Sequence, residues 1–358
     1  MAPPTPPERS SHFAEVLRWH PAPGLDWVTV AAAVIGMAGP VLAGASAGAL
    51  HLGLIASLGS LLLGGTWAGT GFLAQLRDLL RAFAPVAAAV VVAVVIAGHG
   101  WVSDAIAIVI VGAAALAGSL SRPLAVATTR FNLLLLVAAA VGELIPEHFD
   151  FAALTLAGAV WTMIVTLVLG AVARALPGND TAHETPPPAA PADNPLARWR
   201  ETFSHIAGWQ YALRLTACLA VAAVLKAMWP EHHLHWITLT VALLTDRQIS
   251  LFAVKTTQRT LGTAVGVLIA ALLFSHALPV WIVVLSIAVF AGARQVLRLR
   301  NYFAYSIVMT PLVIVIMDAG GSAEPGVLLD RLIATLTGAA LVVLAALMFR
   351  GAQTRPEV

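Results

Sequence analysis

Residues Leu332–Phe349 read LIATLTGAALVVLAALMF, and Val86–Gly98 reads VAAAVVVAVVIAG. Neither run carries a charge, and neither alternates apolar and polar side chains with the period of two that a membrane barrel strand requires. A soluble helix of the longer run's length would keep one charged face; this one has none. Both runs therefore read as bilayer helices, whose backbone groups are all paired internally. The rest of the 358 residues agree, being 59% hydrophobic and 11% charged, with a mean hydropathy of +0.87. Soluble domains carry about 25% charged residues. A core can hide apolar side chains, but a water-facing surface cannot be this poor in charge.

Working outward from these runs, the chain divides into about twelve embedded segments: 27–46, 52–72, 82–98, 102–120, 130–146, 151–174, 209–228, 235–245, 260–275, 279–293, 302–318 and 331–349. Between the sixth and seventh lies a linker with Pro186, Pro187, Pro188, Pro191 and Pro195 among Ala, Asp and Asn, a composition that forms no packed core. The expected organisation is an N-terminal segment 1–26, a six-helix unit 27–176, the linker 177–208, a second six-helix unit 209–349 and a tail 350–358. Trp27 and Trp209 open the two units, and Arg77 to Arg81 answers Lys255 to Arg259. The fold expected is an all-α membrane protein built as an internal repeat. Six spans per unit make the two copies insert in the same direction, about an axis near the membrane normal.

Charge placement orients the chain. Arginine and lysine fall in alternate connections, among them Arg77 with Arg81, Arg122 with Arg130, and Arg294 with Arg298 and Arg300. The other connections hold acids, including Asp104, Glu143, Glu231, Asp318 and Asp330. The positive-inside rule then places both termini and the linker in the cytoplasm. Met1–His12 lacks the apolar stretch and small-residue site of a cleavable signal, so insertion is expected to begin with the first membrane helix. The single cysteine, Cys218, permits no disulfide or metal framework. No phosphate-binding loop, hydrolase elbow or dinucleotide fingerprint occurs, and the basic residues are spread over loops rather than clustered with aromatics. No catalytic residue, cofactor, metal or nucleic acid is therefore assigned.

The second unit carries a series of motifs: Ala212-Leu-Arg214; His235-Trp236-Ile-Thr-Leu-Thr240; Arg259-Thr-Leu-Gly262-Thr263-x-x-Gly266; Asn301-Tyr302 followed by Thr310-Pro311; and Arg331-x-x-x-Thr335-x-x-Gly338. In order and spacing this series, over residues 209–349, resembles the fusaric-acid-resistance and aromatic-acid-exporter family. The resemblance implies a bacterial inner-membrane efflux protein for aromatic carboxylic acids and similar compounds, with a homodimer or a periplasmic adaptor as possible partner. Plant malate channels share a related six-helix unit. The first unit departs from the pattern, having Phe151 near the position of Arg331, and the long cytoplasmic domain of larger members is replaced by the proline-rich linker.

The residues can be read without the family. Arg259, Gly262 and Gly266 share one helix face, which suits close helix packing through the glycines and equally an arginine lining a vestibule. Gly338 belongs with the packing glycines. Arg214 and Arg331 each lie about a turn inside an apolar helix, where a guanidinium costs several kcal/mol unless paired or hydrated. For Arg331 a salt bridge to Asp330 or Asp318 competes with a cavity position; for Arg214, snorkelling to the surface does. The segment 235–245 is too short for a perpendicular span and carries Trp236 and Thr240 one turn apart, as discontinuous helices at transporter sites do. Substrate contacts are thus expected from Arg214, Trp236, Thr240, Tyr302, Arg259, Arg331 and Thr335, and gating or coupling from His235, Asp246 and Arg247. His232, His233 and His235 otherwise fit a solvated outer loop.

The function expected is a secondary efflux transporter for amphipathic organic anions, driven by proton-motive force, with the second unit carrying the site. A passive anion channel and a non-transporting scaffold are the alternatives. Reporter fusions at both termini and within 177–205 should report the cytoplasm; an external linker would reverse the orientation of every helix.

Overall fold

A computed structural model describes residues 12–21, 26–63, 71–142, 148–176, 200, 204, 206–230, 232, 234–245, 252–274, 278–318 and 325–349. Among them are thirteen helices and no strand. In chain order they are α1 (His12–Val16), α2 (Trp27–Ser46), α3 (Leu50–Leu63), α4 (Phe72–Ile96), α5 (Trp101–Ala117), α6 (Arg122–Gly142) and α7 (His148–Ala175). The second half holds α8 (Ile206–Met228), α9 (His235–Leu244), α10 (Phe252–Phe274), α11 (Val280–Leu297), α12 (Tyr302–Asp318) and α13 (Pro325–Phe349). Eight helices are long and apolar enough to cross a bilayer, and shorter apolar helices accompany them at α3, α5, α9 and Tyr302–Ile316 of α12. The chain is an all-helical, multi-pass membrane protein. Many of its outward side chains are apolar, such as Val95, Leu268, Leu272 and Leu344, as a lipid-facing surface requires. Most of the linker, the tail, and Asp246 and Arg247 lie outside the described residues.

Several helices run past the segments that hydropathy marks. α4 begins at Phe72 rather than near 82, α6 at Arg122 rather than near 130, and α10 at Phe252 rather than near 260. Hydropathy detects the hydrocarbon-facing part, whereas Gln75, Arg77, Asp78 and Arg81 continue the same helix as good or tolerable helix formers. On that extension Arg81 pairs with Asp78 at 3.5 Å.

The helix neighbours of one half recur in the other. In the first half α2 packs on α3 and α7, α3 on α7, α4 on α6 and α7, and α5 on α6. In the second, α8 packs on α9 and α13, α9 on α13, α10 on α12 and α13, and α11 on α12. Contacts between halves are reciprocal as well: α5 meets α8 while α11 meets α2, and α6 meets α9 while α12 meets α3. Glycines sit at these crossings. A Cβ on Gly112 of α5 would lie 2.6 Å from Thr216 Cγ2 of α8, and one on Gly292 of α11 would lie 3.1 Å from Val34 Cγ2 of α2.

Inside each half, backbones approach more closely still. A Cβ on Gly59 would run into the Thr155 carbonyl, and one on Gly158 into the Ala56 carbonyl, so α3 and α7 touch backbone to backbone. Ser60 fastens the same corner by donating to the carbonyls of Gly36 (2.6 Å) and Gly158 (3.1 Å). Gly262 and Gly266 face α12, where added Cβ atoms would come within 2.6 Å of Ser306 Cβ and 2.7 Å of Thr310 Cβ. Gly338 faces Thr240 in the same manner, at 2.8 Å. The segment around α1 is tied to the second half, Gln258 Nε2 donating to the Val16 carbonyl (2.8 Å) and Asn301 Nδ2 to that of Arg18 (3.1 Å).

Gly59→Leu should therefore destabilise the bundle by about 3 kcal/mol or more, because backbone cannot yield as a side chain can. Gly326→Ala, where an added Cβ meets nothing within 4 Å, should leave the melting temperature in detergent within a degree or two of the parent.

Candidate anion-binding cavity

Two helices end inside the bundle. α3 and α9 are too short to cross it, and a helix end leaves four backbone carbonyls without intrahelical partners. Their last turns, Leu61–Leu63 and Leu243, border a cavity of about 230 Å³ between the halves. Its apolar wall comes from Leu58, Leu133, Leu134 and Val137 of the first half and Leu239, Met309 and Val313 of the second. Its polar wall is almost wholly cationic: Arg130, Arg259, Arg294, Arg298 and Arg331, with Tyr305, and no carboxylate among the described lining residues.

Each arginine is placed by its helix. Arg294 and Arg298 lie one turn apart at the end of α11, so both reach the same wall. Arg294 is buried, and its Nη1 donates to the Leu61 carbonyl at 3.1 Å, capping the end of α3 from the opposite half. A cation there also meets the negative end of that helix's dipole. Arg298 lies within electrostatic range of both Arg130 and Arg294. Arg259 is only 3% exposed, and its Nε and Nη1 have no hydrogen-bond partner among the described residues. Arg331 is 5% exposed, with its guanidinium carbon 3.4 Å from the centroid of the buried Trp236 ring. Such a stack contributes about 0.5–2 kcal/mol. It uses the face of the guanidinium and keeps the hydrogen-bonding edge in the plane, the edge that matches a carboxylate bidentately.

Of the residues the sequence singled out, the cavity gathers Arg259, Arg331 and Trp236. Arg214 is buried elsewhere, with Nε 3.4 Å from the Gln210 carbonyl of its own helix, and does not line the cavity. Thr240 and Thr335 do not line it either. Each donates one turn back, Thr240 to the Trp236 carbonyl (2.9 Å) and Thr335 to the Arg331 carbonyl (2.8 Å), on the two helices that carry the stacked pair. Tyr302 stacks on Tyr305 with ring centroids 5.7 Å apart and has Lys255 Nζ 5.8 Å from its own centroid; Tyr305 is the one that faces the cavity. His235 leans on Trp236 at 4.9 Å and lines a separate small pocket beside Asp104 and Lys226, which pair at 3.1 Å. Asp330, next to Arg331 in sequence, meets His232 Nδ1 at 2.9 Å.

Three arginines, Arg130, Arg294 and Arg298, carry no functional weight in the sequence because positive-inside counting accounts for them. The signal that could have raised them was spacing: Arg294 and Arg298 lie four residues apart, on one face at the end of their helix. The first half also does more than pack, supplying Arg130 and a leucine wall.

A charge buried without partners in an apolar bundle costs several kcal/mol. Arg259→Met should accordingly hold or raise thermal stability by about 1–3 kcal/mol in the absence of anions, as read by unfolding in detergent. A marked fall would mean that Arg259 supports the fold.

Residues 216–345 match the family described as fusaric acid resistance protein-like. No significant match occurs among curated proteins or among solved structures.

Proposed function

We propose, from the match of residues 216–345 to the fusaric acid resistance protein-like family, that the chain is a secondary efflux transporter for amphipathic organic anions such as aromatic carboxylates. The observation that carries this reading is the cavity between the halves, where five arginines and no described carboxylate surround a leucine-lined space. Arg259, whose Nε and Nη1 have no hydrogen-bond partner among the described residues, is placed to receive an anion, and Trp236 offers an aromatic face beside Arg331.

The reciprocal contacts between halves support a pseudo-dimer about an axis near the membrane normal. Alternating access would then rock one half against the other around the cavity, with Arg294 on the Leu61 carbonyl as one contact that must break and re-form. Proton-motive force is the energy source we assign, in a bacterial inner membrane with both termini cytoplasmic. A homodimer or a periplasmic adaptor would complete the export route.

Flux from proteoliposomes tests this. Arg259→Gln should lower benzoate-type anion transport about tenfold, the scale of one charged hydrogen bond of about 1.5–3 kcal/mol, while the flux of a neutral amide analogue stays near the parent level. Equal loss for both would remove the anion site. A current that follows the anion gradient without saturating would assign a passive channel instead.

A further inference from the structure

Four of the cavity arginines lie together and are graded by depth. Arg298 is exposed, Arg130 half-buried, and Arg294 and Arg259 are buried, at 6% and 3% exposure. Arg298 lies within electrostatic range of Arg130 and of Arg294, and Arg294 of Tyr305. α10 runs alongside α12 in step, Gly262 facing Ser306 and Gly266 facing Thr310. Arg259, one turn before Gly262, therefore stands at the first turn of α12, the turn that carries Tyr305. Arg298 marks the open side of this group and Arg259 its depth.

Guanidiniums this close repel one another, and no carboxylate or histidine is among the described lining residues. Arg294 directs Nη1 to the Leu61 carbonyl, while Nε and Nη1 of Arg259 have no partner among the described residues. A carboxylate has one charge and two acceptor oxygens, a match for a single bidentate guanidinium. A phosphate monoester carries close to two charges at neutral pH and three acceptor oxygens on one tetrahedral centre, so it can serve several guanidiniums at once. Beyond the arginines the wall turns apolar, with Leu133, Leu134, Leu239 and Met309. The volume, about 230 Å³, falls below the range of drug-sized sites, so whatever accompanies the head group must be small.

We propose that the preferred substrate is a small aryl or alkyl phosphate monoester, its dianionic phosphate held by Arg130, Arg259, Arg294 and Arg298 and its apolar group on the leucine wall. This rests on the anion-transport reading above and narrows it to one class of anion. Arg298 meets the phosphate at the mouth, and Arg259 receives it at depth through Nε and Nη1.

Phenyl phosphate and phenyl sulfate share a shape and differ in charge: the sulfate keeps one charge, while a phosphate ester loses its second proton at about pH 6. Above that pH, the full chain in detergent should bind phenyl phosphate at least about tenfold tighter than phenyl sulfate, the scale of one further charged hydrogen bond. The ratio should fall towards one as the pH drops below about 5, and flux from liposomes should follow the same order. Arg298→Gln, at an exposed position, removes one cation and leaves the buried packing alone. Because Coulomb attraction scales with ligand charge, the variant should weaken phenyl phosphate by about the square of the factor for phenyl sulfate. Equal affinity of the unaltered protein for the two esters overturns the phosphate proposal and leaves anion transport standing; absence of binding with both esters and with benzoate overturns both. A preference that Arg298→Gln leaves unchanged puts the phosphate elsewhere and overturns the site. Displacement of phenyl phosphate by phosphatidate in the liposomes would assign the arginines to a lipid head group and overturn the solute.

Discussion

A guanidinium inside a helical bundle in a bilayer must find acceptors, an aromatic face or water, because leaving it in hydrocarbon costs several kcal/mol. This chain places several such groups at its centre and supplies each with a different environment. Arg294 donates to the Leu61 carbonyl in the last turn of α3. Arg331 lies on an indole. Arg259 keeps two nitrogens without a partner among the described residues. The cavity is what these solutions have in common, since all three arginines line it.

Close helix packing makes that arrangement rigid. In an apolar solvent there is little hydrophobic drive between helices, so small residues and backbone contact hold them together. Gly59 against Thr155 and Gly158 against Ala56 lock α3 to α7, while Gly262 and Gly266 lock α10 to α12. The stacked pair is held in the same way: Gly338 of α13 lies against Thr240 and the Ile237 carbonyl of α9. That contact keeps the helix bearing Arg331 at a fixed level beside the one bearing Trp236. Both threonines on these helices satisfy their hydroxyls within their own backbone, which leaves the polar work of the cavity to the arginines and Tyr305.

The two halves share neighbours but not chemistry. Their larger helix contacts have counterparts, yet four of the five cavity arginines come from the second half and most of the leucines near the end of α3 from the first. Phe151, near the position matched to Arg331, is buried among apolar neighbours. A cavity between such halves is electrically lopsided, with most of its arginines from the second half and much of its leucine wall from the first. The pairs Lys226 with Asp104 and His232 with Asp330 involve no residue that lines this wall.

The sequence by itself determined the solvent. Uncharged runs such as Leu332–Phe349 can only be bilayer helices, because nothing else satisfies both their side chains and their backbones. It also marked the Trp236 segment as short and Arg214 and Arg331 as out of place in an apolar helix, since both judgments need only local composition and the cost of burial. It could not decide which arginines meet. Arg214 and Arg331 look alike along the chain, yet one is buried against its own helix and the other faces the cavity, a difference set by helix rotation. Arg130, Arg294 and Arg298 read as loop charges because hydropathy ends a helix where its apolar face ends, while the backbone continues. Facing, level and the pairing of Arg294 with a carbonyl 233 residues away are properties of packed helices, and only the tertiary structure settles them.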